Sequence, residues 1–373
     1  MLLVLAVGFS ASAGIKTGAE QTEKYLFLLK DKRVAIVANQ TSVIGGTSLV
    51  DSLKALGVNI VKIFGPEHGF RGTASAGAVV SDSIDAKTGI PEISLYGKKS
   101  KPSKEDLANV DLVIFDIQDV GARFYTYINL LARVMESCSD NNKELLILDR
   151  PNPNGFTVDG PILDMKLKSG IGMFPIPITH GMTVGELAQM YNGEGWLSSE
   201  EKCRVTIIQV ANYSHNMEYV LPVAPSPNLN TPQSILLYPS LCLFEGTIIS
   251  QGRGTHFPFT VLGNPDLKGK YEFSFTPVSI KGMAETPLHQ DKACYGLDLR
   301  EYNTNNFRES GKINLKWLID MYNAYPFNFD KLAGVTLLKE QIIAGKSEKE
   351  IRESWEPGLS DFKRLRTKYL LYP

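Results

Sequence analysis

The sequence predicts an α/β protein: a Rossmann-like, mostly parallel sheet domain followed by a smaller α+β auxiliary domain. Short β-rich runs alternate with amphipathic helices through the first half of the chain, which is typical of a parallel sheet. Prolines then cluster between Leu221 and Pro232, and the rest of the chain mixes strands with helices. At 373 residues, 43% of them hydrophobic, the chain is long enough for two cores.

The first domain is expected over residues 18–224. Its strands are short apolar runs, and its helices place apolar side chains on one face. The expected strands are 33–38, 59–64, 112–115, 144–148, 175–178 and 205–210. The expected helices are 49–56, 127–138 and one that begins at Thr183, where Thr183 and Glu186 fit a capping box.

The auxiliary domain is expected over residues 225–373. Its expected strands are 247–250 and 271–277, and its expected helices are 315–322, 331–344 and 347–355. The four cysteines are far apart and include no CxxC pair, so a structural zinc site has little support and disulfide bonds are left open.

Residues 1–17 resemble a secretory leader. An apolar run from Met1 to Phe9 precedes the small residues Ala11 and Ala13, as in a signal peptide, and it is shorter than the roughly 20 residues that span a bilayer. The alternative is a frayed apolar tail. We expect secretion across the inner membrane, to the periplasm or the outside of the cell.

The charge pattern limits the partners. The net charge is -1, from 39 basic and 40 acidic residues, and no long run of one sign occurs. We therefore expect no nucleic-acid partner and no anionic membrane surface, and no obligate protein partner is evident. The ligand should be recognised locally.

Polar clusters follow five of the expected strands, and this is the main signal for a site. They begin at Asn39, Gly65, Asp116, Asp149 and Thr179. Ligands of open parallel sheets bind outside the carboxyl ends of the strands. Amides, carboxylates, Arg and Tyr side chains together suit a hydroxyl-rich ligand such as a sugar. A GxGxxG or GxxxxGK[ST] motif is missing, so no nucleotide cofactor is expected.

Glu67 is the leading candidate for catalysis. Pro66 and Gly69 flank it in a tight turn, and burial there would raise its pKa toward that of a general acid. The alternative is an ion pair with Arg71. His68 beside it reads as an orienting group, and its combination with Asp116 and Asp119 matches no recognised metal-ligand spacing, so no metal is expected.

Two further segments carry candidate ligand contacts. Tyr127 belongs to the apolar face of its helix, whereas Tyr125 is expected to point away from that face, toward the cleft. It could donate a hydrogen bond or act as a nucleophile or acid/base partner. Arg123 could hold a ligand carboxylate or fix a neighbouring aspartate. Arg253 lies between two glycines, which allows close approach to a ligand or forms a tight structural turn.

These blocks resemble the exo-β-N-acetylmuramidase (NamZ) family of bacteria, long catalogued as a domain of unknown function. The similarity runs from about Gly18 to the end of the chain. The blocks that carry it are 38–41, 65–72, 115–127, 148–153, 180–188, 245–247, 252–255 and 368–372.

The resemblance implies a Rossmann-like catalytic domain, an auxiliary domain and a cleft between them. It implies release of N-acetylmuramic acid from the non-reducing end of peptidoglycan fragments, with peptidoglycan-derived muramyl saccharides as the ligands. Glu67 then becomes the catalytic acid and Tyr125 its partner. The residues expected to bind substrate are Asn39, His68, Arg71, Asp116, Asp119, Arg123, His180 and Arg253.

Several alternatives stay open. The second catalytic group could be Asp116, Asp119 or the acetamido oxygen of the substrate, and any of three arginines could select the lactyl carboxylate of muramic acid. Tyr213 and His215 replace a tryptophan-containing segment, which suggests a changed rim. A non-catalytic cell-wall sugar-binding protein and a metal-dependent hydrolase are the rival functions.

Overall fold

The computed structural model describes residues 14–67, 69–72, 82–97 and 99–373. The first part of the chain contains eleven of the described strands, and these are β1 Val34–Ala38, β2 Val43–Ile44, β3 Thr47–Ser48, β4 Ile60–Gly65, β5 Ser83–Ile84, β6 Pro91–Ser94, β7 Leu112–Asp116, β8 Glu144–Leu148, β9 Val158–Asp159, β10 Thr179–His180 and β11 Arg204–Ile208. The α-helices of this part are α1 Leu26–Leu29, α2 Leu49–Ala55, α3 Lys104–Leu107, α4 Tyr127–Asp140 and α5 Val184–Gly193.

Seven of these strands form one sheet, in the order β11-β8-β7-β1-β4-β6-β5. Every neighbouring pair is parallel except β5 and β6, which are antiparallel. β1 lies between β4 and β7, so the chain adds β4 on one side of β1 and later crosses over to add β7 on the other side. The loops that follow β4 and β7 therefore border a crevice at the carboxyl end of β1, where open α/β sheets bind ligands.

The alternation of side chains along the strands supplies a core on each face of the sheet. Val34 and Ile36 pack on one face with residues of α1 and α2. Ala35 and Val37 pack on the other face with α4 and α5, in a cluster that continues into the second part of the chain. Because both faces are covered, the central strands are apolar throughout, as their sequence predicted.

The second part is smaller and contains an antiparallel sheet. Its strands, in the order β12-β14-β13, are β12 Val261–Asn264, β13 Phe273–Phe275 and β14 Cys294–Asp298. Its helices are α6 Pro232–Leu241, α7 Asn305–Ser310, α8 Lys316–Ala324, α9 Asp330–Ala333, α10 Leu337–Ile343 and α11 Glu348–Arg366. The predicted α/β class, with a smaller second domain, is confirmed.

Two predicted strands are wrong. Residues 175–178 form no strand, because the carbonyl groups of Ile176 and Ile178 accept hydrogen bonds from Leu163 and Arg123 rather than from a sheet neighbour. The next two residues form β10, which pairs with β9 in a separate ribbon. Residues 247–250 also form no strand, and only Ser250 makes an isolated bridge, with Gly263.

The predicted helices of the second part differ in length. The helix expected over 331–344 is divided into α9 and α10 at Gly334, whose φ of 73° lies in the left-handed region. The helix expected over 347–355 continues to Arg366. Within the described ranges, no helix has both the length and the apolar character needed to cross a bilayer. All four cysteines are buried and free.

The end of the chain returns to the parallel sheet. Asp149, the first residue after β8, is buried and accepts hydrogen bonds from the Tyr372 hydroxyl at 2.6 Å and the Thr183 hydroxyl at 2.7 Å. The Gly185 N–H also donates to it, at 2.9 Å. Burial raises the pKa of Asp149 to about 6, because desolvation outweighs these hydrogen bonds.

Tyr213 and His215, the residues for which the sequence suggested a changed rim, belong to the same buried cluster. The Tyr213 ring packs edge-on against Tyr372 at 5.1 Å between centroids. His215 Nε2 lies 2.9 Å from Glu186 Oε2. Both side chains are nearly fully buried, because the returning tail covers them.

Candidate active site

The turn after β4 carries Glu67 and is held by its neighbours. The Gly69 N–H donates to the Pro66 carbonyl at 2.9 Å, and the Phe70 N–H donates to Glu92 Oε1 on β6 at 2.8 Å. Phe70 is buried beneath the sheet edge, whereas Glu67 is only half-buried. The turn therefore presents Glu67 outward at the crevice beside β1.

A cavity of about 200 Å³ lies next to this turn and is lined by both parts of the chain. Its lining residues are Glu67, Phe124, Tyr125, Thr126, Tyr127, Ile171, Ser226, Tyr238, Glu245 and Arg253. Three residues that the sequence singled out therefore meet here: Glu67, Tyr125 and Arg253. Carboxylates, a guanidinium and aromatic rings share one small hollow, a combination suited to a sugar.

Tyr125 forms an aromatic wall of the cavity. Its hydroxyl donates a hydrogen bond to the Pro225 carbonyl at 2.9 Å, and its ring packs edge-on against Tyr127 and Tyr238. Burial raises the pKa of Tyr125 well above its usual value, and the nearby Glu67 charge acts in the same direction. The phenol therefore stays protonated at neutral pH, which favours a hydrogen-bonding role over a nucleophilic one.

Arg253 and Glu245 form an ion pair in the cavity wall. Arg253 Nε donates to Glu245 Oε1 at 2.7 Å, and Nη2 donates to the same oxygen. The guanidinium also lies over the Phe259 ring, 5.1 Å from its centroid. The two side chains remain 33% and 26% exposed, so the pair is held in place and still faces the cavity.

The other predicted arginines are placed elsewhere. Arg71 Nε lies 2.7 Å from Asp85 Oδ1, and its Nη2 lies 3.3 Å from Asp51, so it joins a surface ion network outside the cavity lining. Arg123 is buried, and its guanidinium donates only to backbone carbonyls, at 2.7–3.3 Å, among the residues that are described. Neither guanidinium lines the cavity.

Two predicted polar residues are buried inside the protein. Asp116 is fully buried, and both its oxygens bind the Arg150 guanidinium, at 2.5 and 2.9 Å. Asn39 Oδ1 accepts hydrogen bonds from the Thr41 N–H and hydroxyl and so shapes the turn after β1. The structure does not bring these two side chains into the cavity lining.

Asp119 and His180 form a buried pair behind the site. The Met182 N–H donates to His180 Nδ1 at 3.2 Å, and Nε2 lies 3.6 Å from Asp119 Oδ2. The Gly121 N–H donates to the same carboxylate at 2.6 Å. The pair fixes the loop that leads to Tyr125. His68, the remaining predicted residue, lies outside the described residues.

No group of three or more His, Cys, Asp or Glu side chains within the described part of the chain is arranged to hold a metal ion.

Two family models cover most of the sequence. The model described as exo-beta-N-acetylmuramidase NamZ, N-terminal, matches residues 34–233, and the corresponding C-terminal model matches residues 236–372. The chain belongs to the exo-β-N-acetylmuramidase NamZ family. The family resemblance inferred from the sequence is thus confirmed, while the domain boundary at residue 224 stays a prediction.

Individual relatives and solved structures agree with this assignment. The peptidoglycan beta-N-acetylmuramidase NamZ of Bacillus subtilis (strain 168) is 40% identical over 370 residues, covering 92% of this chain and 88% of the relative. Two crystal structures of DUF1343 family proteins from Bacteroides fragilis NCTC 9343 share the fold. They are 47% and 29% identical, with TM-scores of 0.90 and 0.81, and each comparison covers 96% of this chain and 99% of the other.

Several lining residues of this NamZ-family cavity were not predicted. Tyr127 was assigned to the core, yet its ring borders the hollow beside Tyr125. Tyr238 and Glu245 come from the second part of the chain, where the sequence offers no rule for which loop meets the sheet. The available signal was the Glu-Gly-Thr block that begins at Glu245, eight residues before Arg253.

Proposed function

We propose that this chain is an exo-β-N-acetylmuramidase that releases N-acetylmuramic acid from the non-reducing end of peptidoglycan fragments during cell-wall turnover. The observation that carries the proposal is the match of both halves of the chain to NamZ family models. The 40% identity with the curated Bacillus subtilis enzyme over 92% of the chain supports it. The cavity lined by Glu67, Tyr125 and Arg253 supplies a place for the reaction.

Glu67 is the proposed general acid. Cleavage of a glycosidic bond requires a proton on the leaving oxygen, and a carboxylic acid at the edge of a small cavity can supply it. Tyr125 supports the site by holding the Pro225 carbonyl and by packing against the other aromatic rings. The small volume of the cavity suits a terminal sugar ring.

Arg253 is the proposed selector of muramic acid. Muramic acid differs from glucosamine by a lactyl carboxylate, which a guanidinium recognises through charge-assisted hydrogen bonds. Arg71 and Arg123 are occupied by carboxylates and by carbonyls, respectively. Arg253 lines the cavity and binds Glu245 through Nε and Nη2, and its Nη1 makes no hydrogen bond to a described residue.

The variant Glu67→Gln tests the proposed function. We expect the wild-type protein to release N-acetylmuramic acid from a 4-nitrophenyl N-acetylmuramide, as identified by mass spectrometry, and the variant to lose about 10³-fold in kcat. The matched control is Glu144→Gln. Glu144 is the first residue of β8, at the edge of the sheet away from the cavity, and it pairs with Lys32 on the surface. Binding without product in the wild type would favour a sugar-binding protein, and inactivation by a chelator would favour a metal-dependent hydrolase.

We further propose that the protein is exported and that its leader is removed close to Ala13. Lys16 pairs with Ala211 through two backbone hydrogen bonds, and Thr17 is buried, which favours a cut before these residues rather than after position 17. The expected mature protein begins near Gly14. N-terminal sequencing of protein recovered from outside the inner membrane tests this, and an intact Met1 there would contradict it.

A further inference from the structure

The cavity contains a carboxylate that the sequence did not assign to the reaction. Glu67 comes from the turn after β4, and Glu245 comes from the segment that follows α6. Glycosidases commonly use two carboxyl groups, one that protonates the leaving oxygen and one that meets the oxocarbenium-like centre. Glu67 and Glu245 reach the same hollow from opposite parts of the chain.

The aspartates considered from the sequence are not available for this role. Both oxygens of Asp116 bind Arg150, and its side chain is fully buried. Asp119 is also buried, and it accepts the Gly121 N–H and faces His180. Neither carboxylate lines the cavity.

Glu245 is held in one orientation by its own surroundings. Its backbone N–H donates to the Cys242 carbonyl at 2.9 Å, and the Cys242 thiol lies 3.4 Å from Oε2. Arg253 donates hydrogen bonds to Oε1 from Nε and Nη2. Fixing a charge in advance of the reaction removes the cost of reorganising it in the transition state, which is how preorganised sites accelerate reactions.

We propose that Glu245 is the second catalytic carboxylate and that it stabilises the positive charge that develops at C1 of the sugar. This inference rests on the proposed function. Arg253 holds the Glu245 carboxylate in place beside the cavity, so its expected contribution is a fixed negative charge.

The reaction then balances without a further reagent. Glu67, as the acid, donates its proton to the glycosidic oxygen as the bond from C1 to that oxygen breaks, and the bonding electron pair leaves with the oxygen. The Glu245 carboxylate faces the cationic C1. Water then forms a bond to C1, and its proton returns to Glu67, which restores the acid.

The variant Glu245→Gln tests this assignment. Glutamine keeps the size of the side chain and an oxygen for Arg253 but removes the charge. We expect kcat to fall about 10³-fold for both 4-nitrophenyl and 2,4-dinitrophenyl N-acetylmuramides, because charge at C1 must be stabilised whatever the leaving group. Glu67→Gln should instead recover to within about tenfold of the wild type on the 2,4-dinitrophenyl substrate, which needs little protonation.

A second variant and a control keep the test decisive. Glu245→Asp retains the charge, so its kcat should exceed that of Glu245→Gln at least tenfold, and equal values would overturn the proposal. The matched control is Glu301→Gln, at an exposed position of the same part of the chain. Urea unfolding of every variant checks that each one is folded. Glu245→Gln activity above one tenth of the wild type, or a loss confined to the poorer leaving group, would also overturn it.

These outcomes separate the inference from the function on which it rests. A wild-type protein that releases no N-acetylmuramic acid defeats the proposed function. If the wild type is active, Glu67→Gln behaves as stated and Glu245→Gln is also active, then only the role of Glu245 is defeated.

Discussion

Arg123→Met is expected to destabilise the fold strongly, although the sequence suggested a ligand-binding role for this arginine. The Arg123 side chain is 2% exposed, and its guanidinium donates hydrogen bonds to the carbonyls of Pro161, Ile176, Leu332 and Ala333. It therefore joins the segment that carries Tyr125 to helix α9. Methionine has a similar length but donates no hydrogen bond.

The magnitude follows from the acceptors that are left behind. A buried carbonyl that loses its donor costs about 1–3 kcal/mol, and the Ile176 carbonyl keeps a second donor, the Leu163 N–H at 3.2 Å. Removing a buried cation returns part of this cost, because the guanidinium no longer has to be desolvated. We expect a net loss of about 3–5 kcal/mol in the free energy of unfolding.

Gly334→Ala provides an independent way to disturb the same contact. Gly334 has a φ of 73°, and a Cβ there would collide with Arg123 Nη2. In the wild-type background the alanine suffers backbone strain and close contacts with both Arg123 and Leu163, whereas in the Arg123→Met background the collision with the guanidinium is removed. The two substitutions should therefore be non-additive, by about 1 kcal/mol or more.

Urea unfolding of the wild type, both single variants and the double variant measures these quantities. A loss below about 1 kcal/mol for Arg123→Met, together with a hundredfold fall in kcat/KM, would refute the structural assignment and return Arg123 to the ligand site.

Three further predictions address the cavity and the buried tail. Arg253→Ala should reduce the preference for an N-acetylmuramide over an N-acetylglucosaminide about tenfold or more in kcat/KM, and unchanged discrimination would contradict the selector role. Tyr125→Phe, which loses the bond to Pro225, should lower kcat/KM about tenfold with the same dependence on leaving group, whereas inactivity with every substrate would indicate a direct chemical role. Burial raises the pKa of Asp149 to about 6, from about 3.8 in the unfolded chain. The stability that Asp149 contributes is therefore present below pH 3.8 and is lost as the pH rises through 6. Relative to Asp149→Asn, the wild type should lose about 2 kcal/mol in free energy of unfolding between pH 4 and 7, and a parallel pair of pH profiles would contradict this.

The parallel sheet could be predicted because burial on both faces leaves a plain signal. Strands such as β1 and β7 are apolar from end to end, and the rule for open sheets then directs attention to the loops that follow them. β6 was missed because it begins with Pro91 and contains Glu92, although it pairs with β4 on one side and with β5 on the other.

The candidate site could be predicted only in part, because a polar residue at a strand end can point into a cavity or into the protein. Asp116 was predicted to bind substrate, but Arg150, from the loop that follows the neighbouring strand β8, pairs with it inside the protein. The direction of such a side chain depends on partners that are distant in sequence. The same reason explains Glu245, whose place in the cavity that Glu67 also lines is set by the packing of the second part of the chain.

The return of the tail to the parallel sheet has a consequence for how the protein is made. Asp149 and Tyr372 are 223 residues apart, so their hydrogen bond can form only after nearly the whole chain has left the ribosome. Contacts between such distant residues form late, because the long loop between them must first close. A growing chain should therefore stay loosely packed around Asp149 until Tyr372 has been synthesised, and shortened chains that stop before Tyr372 should be quickly digested by proteases.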